Sequence, residues 1–174
     1  LGPFLSKSFA THISPWSVTL DALAPYRRPA VRPAGDPAPL PYLDAAFDRT
    51  AGALDIRLEA WLQTSRMAAP QRLSRSNALD AYWTLGQLVA HHTSNGCNLQ
   101  AGDLLGTGAL SGPGPQQGAS MVELTQAGRQ PLQLPGDEQR VFLEDGDTVT
   151  LRAYCEAPDA APIGFGTLVG RIAG

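Results

Sequence analysis

LDIRLEAWLQ, residues 54 to 63, alternates apolar and polar side chains almost without interruption. Leu54, Ile56, Leu58, Ala60 and Leu62 fall on one face, with charged or polar groups mostly on the other. A period of two belongs to an extended chain with one side buried, so the segment reads as a strand. The same period returns at Thr148 to Cys155, where Val149, Leu151 and Ala153 oppose Thr148, Thr150, Arg152 and Tyr154. Working outward, Ser65 to Pro70 is a turn and Gln71 to Arg75 a short returning strand. Asp103 to Leu110, Ser120 to Gln126, Gln130 to Leu134, Arg140 to Leu143, Asp147 to Glu156 and Ile163 to Ile172 read as further strands. QAGRQ and EDGD place Gly128 and Gly146 between these segments, as short hairpins require.

One stretch carries a helical period. Ser76 and Asn77 are good caps, and ALDAYWTLGQLVAHH (residues 78 to 92) then sets Leu79, Tyr82, Trp83, Leu85, Leu88, Val89 and His92 along one face. Asn95 and Gly96 stop it. Leu1 to Leu23 reads as two short extended pieces, with Pro3 and Pro15 ruling out a long helix. Pro25 to Pro41 holds six prolines and reads as a surface loop. Many short strands with a single helix indicate a mainly β domain: a sandwich, roll or barrel with the helix packed against or across it.

At 174 residues the chain is long enough for one domain with a real core. Thirteen Lys and Arg against 16 Asp and Glu give a net charge of -3, which argues against a nucleic acid or an anionic membrane surface as partner. No apolar run approaches the length of a membrane span. Cys97 and Cys155 fit neither a zinc pattern nor a disulfide framework, which points to a reducing cytoplasm while leaving a single bridge open. The first residue is Leu1, and the opening LGPFLSKSF is already dense in apolar residues, as expected of a piece of a longer chain.

Residues 91 to 123 concentrate the features that bear on chemistry. Glycines at 96, 102, 106, 108, 112, 114 and 118 mark backbone that turns or is closely approached, and Glu123 follows among Met121, Val122 and Leu124. A carboxylate with apolar neighbours finds a partner, shifts its pKa or points outward, and the local pattern favours the outward reading. His91 and His92 are adjacent and cannot share a metal as an i, i+4 pair does, so both read as structural, as does His12. Lys7 reads as a snorkelling lysine, and Glu144, Asp145 and Asp147 as a solvated turn.

Six segments in order, LGPFLSKSFATHISPW, AYWTLGQLVAHHTSNGCNL, AGDLLGTGALSGP, SMVEL, FLEDGD and IGFG, make the chain resemble the fumarylacetoacetase family over nearly its whole length. The resemblance implies a mainly β fold, a mixed β-sandwich roll with one principal helix. Residues 1 to 174 would form the carboxy-terminal portion of the catalytic β-roll domain, without its upstream part or the SH3-like amino-terminal domain. It further implies hydrolysis of a carbon-carbon bond in 4-fumarylacetoacetate, a diketo acid, to fumarate and acetoacetate in tyrosine and phenylalanine breakdown. A divalent cation, Mg2+ and/or Ca2+, and a homodimer in the cytoplasm belong to the same expectation.

Carried over by position, Glu123 matches the carboxylate that orients a catalytic histidine. Lys7 and Thr11 in SKSFAT match positions near the metal, Lys7 lying close to the leaving group as well. The catalytic histidine and the acidic metal ligands fall outside this chain, which alone is expected to be inactive. Gly108 and Ala109 match the turn that touches substrate, where the family commonly has GTISG; Ala109 lacks the hydroxyl of that threonine. This departure keeps open a related enzyme acting on another keto acid, beside a non-catalytic β-rich dimerisation module.

Overall fold

The structure is a computed structural model and describes residues 10 to 174. In chain order its elements are β1 (Arg27–Arg28), α1 (Ala46–Ala51), β2 (Ala53–Leu54), β3 (Arg57–Gln63), β4 (Gln71–Asn77), α2 (Leu85–Thr93), α3 (Met121–Leu124), β5 (Leu132–Leu134), β6 (Glu138–Arg140), β7 (Thr148–Ala157) and β8 (Ala160–Arg171). The largest sheet is antiparallel with the order β4-β3-β7-β8, and β1-β2 and β5-β6 form two small antiparallel ladders. The mainly β class with one principal helix is therefore what the chain adopts.

The alternating segment 54 to 63 is not one strand. Ile56 N donates to Leu54 O at 3.0 Å, a tight turn that breaks it, while Asp55 N donates to Tyr26 O at 2.9 Å. The Asp55 carboxylate accepts from Asn77 Nδ2 at 2.7 Å, fixing the bend from the side chain as well. Its apolar residues consequently serve two cores. Leu54 packs with Leu23, Tyr26 and Cys155, and Leu62 with Met67 and Leu134. The Pro25 to Pro41 segment is anchored at its start, because Tyr26 is buried and its hydroxyl donates to Ala161 O.

Several expected elements differ. Ser76 and Asn77 lie in β4, Asn77 capping only a 3-10 turn (Ala78–Asp80), and α2 starts at Leu85. The reason is local: Thr84 and Gln87 form a reciprocal capping box, with both bonds at 3.0 Å. The helix docks through polar groups, Thr84 Oγ1 donating to Asp48 at 2.9 Å and Gln87 Nε2 to Leu43 O at 2.9 Å, whereas Leu85, Leu88 and Val89 stay exposed. Residues 94 to 120, including the expected strand 103 to 110, run without helix or strand. Ser120 to Gln126 contains the short helix α3, and QAGRQ ends it, with Gln126 and Ala127 at φ 51° and 58°. EDGD is a turn, but Asp147 is buried rather than solvated.

Asp147 closes the sheet's end. Its carboxylate accepts from Arg140 Nε at 2.9 Å, Arg140 Nη2 at 3.1 Å and Glu144 N at 3.0 Å. Its backbone carbonyl accepts from Ile172 N at 2.9 Å. Removing one partner of a buried pair strands the other charge. Asp147→Ala is expected to lower the unfolding free energy by about 3 kcal/mol, seen as a lower urea midpoint; an unchanged midpoint would show the pair to be neutral.

Candidate functional site

The long irregular segment after α2 crosses the small-residue face of the sheet. Opposed pairs in the ladders set Leu58 beside Ser76 and Ala153, and Ala60 beside Ser74 and Leu151. Small side chains at these positions leave room, and Gly108, Ala109 and Leu110 stand over them around a cavity of about 390 Å3. Gly108 takes φ 75°, a conformation that favours glycine. A Cβ at Gly112 would lie 2.6 Å from Asp80 Oδ2 and 2.7 Å from Gln117 Oε1, so any larger residue there would displace those side-chain ends.

Glu123 is exposed, as the local pattern suggests, yet well partnered. Oε1 accepts from Ser111 Oγ at 2.7 Å, and Oε2 from Ser120 Oγ at 2.9 Å and Ala119 N at 3.1 Å. Ser120 Oγ in turn accepts from Glu123 N at 3.2 Å, a capping arrangement written in the sequence as Ser-x-x-Glu. Ser111 and Ser120 are the site residues that reading for catalytic types overlooks, and that spacing is the signal for Ser120.

The Ser111 hydroxyl, then Ser120 and the backbone amides, hold the Glu123 carboxyl below its ordinary value, against a smaller opposing effect of burial. Glu123 is thus an ionised acceptor at neutral pH. The folded pKa being depressed, its hydrogen bonds contribute stability above the unfolded value of about 4.3, and that contribution is lost as pH falls through the folded value.

Ala109, Ser111 and Glu123 line one further cavity of about 350 Å3, with Asp80, Trp83 and Thr107. Ala109 and the carboxylate are therefore brought together, whereas Gly108 lines the cavity over the sheet. Thr11 is exposed and lies outside that lining, and Lys7 falls outside the described residues. His91 Nδ1 meets Tyr42 Oη at 2.9 Å and His92 Nε2 meets Cys97 Sγ at 3.4 Å, so each histidine has a local partner away from Glu123. Both cysteines are free, and burial pushes the Cys155 thiol up. Among the described residues no three His, Cys, Asp or Glu side chains cluster to hold a metal ion, so they do not form a cation site of their own. No helix among them is long and apolar enough to cross a membrane.

The model of the fumarylacetoacetate (FAA) hydrolase C-terminal family matches residues 1 to 173. The chain belongs to this family. It is 50% identical to a fumarylacetoacetase of Arabidopsis thaliana over 99% of its length, and 44% identical to those of Homo sapiens and Dictyostelium discoideum, again over 99%. The chain spans only 39 to 40% of these relatives. Family membership thus covers nearly the whole chain.

A carbon-13 titration of the full-length protein is expected to place the Glu123 midpoint below the ordinary carboxylate range, with Ser111→Ala moving it upward. Equal midpoints in the two proteins would remove Ser111 as the cause.

Proposed function

We propose that this chain supplies the carboxy-terminal part of the site of a hydrolase that cleaves a carbon-carbon bond of 4-fumarylacetoacetate. Water is consumed and fumarate and acetoacetate are released. The observation that carries the reading is Glu123, an ionised carboxylate held by Ser111, Ser120 and Ala119 on the wall of a cavity shared with Ala109.

In this reading Glu123 accepts the N–H of an imidazole supplied from outside this chain. It fixes the ring's tautomer and leaves the other nitrogen to take a proton from water. The backbone amides of Gly108 and Ala109 donate to a substrate carboxylate. Lys7 and Thr11 border the leaving group and the cation. Among the described residues no three His, Cys, Asp or Glu side chains cluster to hold Mg2+ or Ca2+, so the cation's acidic ligands would come from beyond this chain, beside Lys7 and Thr11. A cytoplasmic homodimer completes the proposal.

A second reading is favoured by Ala109 itself: with no hydroxyl at this turn, a related keto acid becomes the better substrate of the same fold. The full-length protein supplied with Mg2+ or Ca2+ is expected to consume fumarylacetoacetate, followed by loss of the diketo absorbance, and to lose that activity on chelation. Ala109→Thr is expected to raise kcat/KM about fivefold, the worth of one hydrogen bond near 1 kcal/mol. Turnover of another keto acid, with none of fumarylacetoacetate, would select the second reading.

A further inference from the structure

The face of the sheet opposite Leu58 and Ala60 has a different character. Cross-strand register puts Arg75, Glu59 and Arg152 in one row and Arg57 beside Tyr154 in the next. Arg72 and Arg75, three apart, would point to opposite sides of a regular strand. A register shift at Ala60/Trp61 pairs Trp61 with Arg72 and leaves Leu73 as the extra residue, so both arginines reach the same face. With Glu156 counted, this face carries four arginines against two glutamates, an excess of two positive charges on a chain of net charge -3.

The guanidinium groups are only partly used. Arg72 Nη1 lies 3.3 Å and Arg75 Nε 3.8 Å from one oxygen, Glu59 Oε1, while Glu59 Oε2 accepts from Trp61 Nε1 at 3.1 Å. Arg75 Nη2 donates to Tyr154 Oη at 2.8 Å. Among the described residues this leaves Arg72 Nε and Nη2 and Arg75 Nη1 without a protein acceptor, on side chains 44% and 43% exposed. Arg152 stacks on Trp61, 5.6 Å from its ring centroid, and makes no ion pair among the described residues.

Beside these donors lies a cavity of about 520 Å3 walled by Trp61, Arg72, Ser74, Arg75, Gln116 and Gln117. Arg75 N donates to Gln116 O at 3.0 Å, which fixes the glutamine wall to β4.

We propose that this cavity binds a phosphate-type dianion, held by Arg72 and Arg75 with the side-chain amide of Gln116 as a further donor. Planar guanidinium forks with vacant N–H groups suit phosphate oxygens, and the charge excess matches a dianion. Glu59 holds the forks in place and competes with the ligand for them. The site lies at the β4 edge of the sheet, outside the cavity that Ala109 and Glu123 share, and is independent of the hydrolytic reading.

Calorimetric titration of the full-length protein with pyrophosphate and with inorganic phosphate, at constant ionic strength, tests the proposal. Saturable binding is expected, weakened about tenfold or more by Arg72→Gln with Arg75→Gln and unaffected by Arg129→Gln. Glu59→Gln, which frees the forks, is expected to tighten it, a gain that a misfolded variant would not show. Heats no larger than those of sodium chloride, or equal affinity in wild type and the arginine variants, would overturn it.

Discussion

Strand β3 is hydrogen-bonded on both edges, to β4 and to β7, and the bend at Asp55 fixes where that pairing begins. Because both ladders share its register, the side chains of β3 sort those of its neighbours onto two unlike faces. One face is small and apolar and leaves a hollow beneath the 108 to 110 turn. The other gathers arginines around Glu59. The same bend sends Leu54 into the core of Tyr26 and Cys155 while Leu62 belongs with Met67 and Leu134. One hydrogen-bonded turn thus separates the cores and positions both surfaces.

The segment after α2 has no ladder of its own and is held by a few polar contacts. Gly112 N donates to Gln117 O at 3.0 Å, Arg75 N to Gln116 O at 3.0 Å, and Ser111 Oγ to Glu123. These tie the 108 to 112 turn, the sheet and α3 together. Glu123 has a structural task in that arrangement, since its backbone and side chain both bond Ser120. It remains positioned at a cavity wall with its charge retained, a combination suited to holding an imidazole.

How far the sequence was legible depends on the range of the deciding interaction. The strands β3 and β7 follow from local alternation, and α2 from its apolar spacing. The start of α2 does not follow from residue type, because Ser76 and Asn77 cap as well as Thr84; pairing of β4 with β3 consumes the first two, and Gln87 completes the box with Thr84. Met121, Val122 and Leu124 suggested a strand, and only the Ser120 to Glu123 spacing reveals the cap. The burial of Asp147 depends on Arg140 across a turn. The arginine face depends on a bulge that no local pattern announces. The exposure of Glu123 follows from its local pattern, whereas the cavity it shares with Ala109 does not, since Asp80, Trp83 and Thr107 complete it from segments distant in sequence.

In the proposed function Glu123 serves chemistry and not only the cap of α3. Turnover of fumarylacetoacetate by Glu123→Gln and Ser120→Ala variants of the full-length protein, compared under conditions where both are folded, separates the two tasks. Ser120→Ala sacrifices a cap worth about 1 kcal/mol and leaves the carboxylate with Ser111 and Ala119. Glu123→Gln is expected to lose about tenfold or more in kcat while Ser120→Ala stays near wild type. Equal turnover in the two variants would contradict that role.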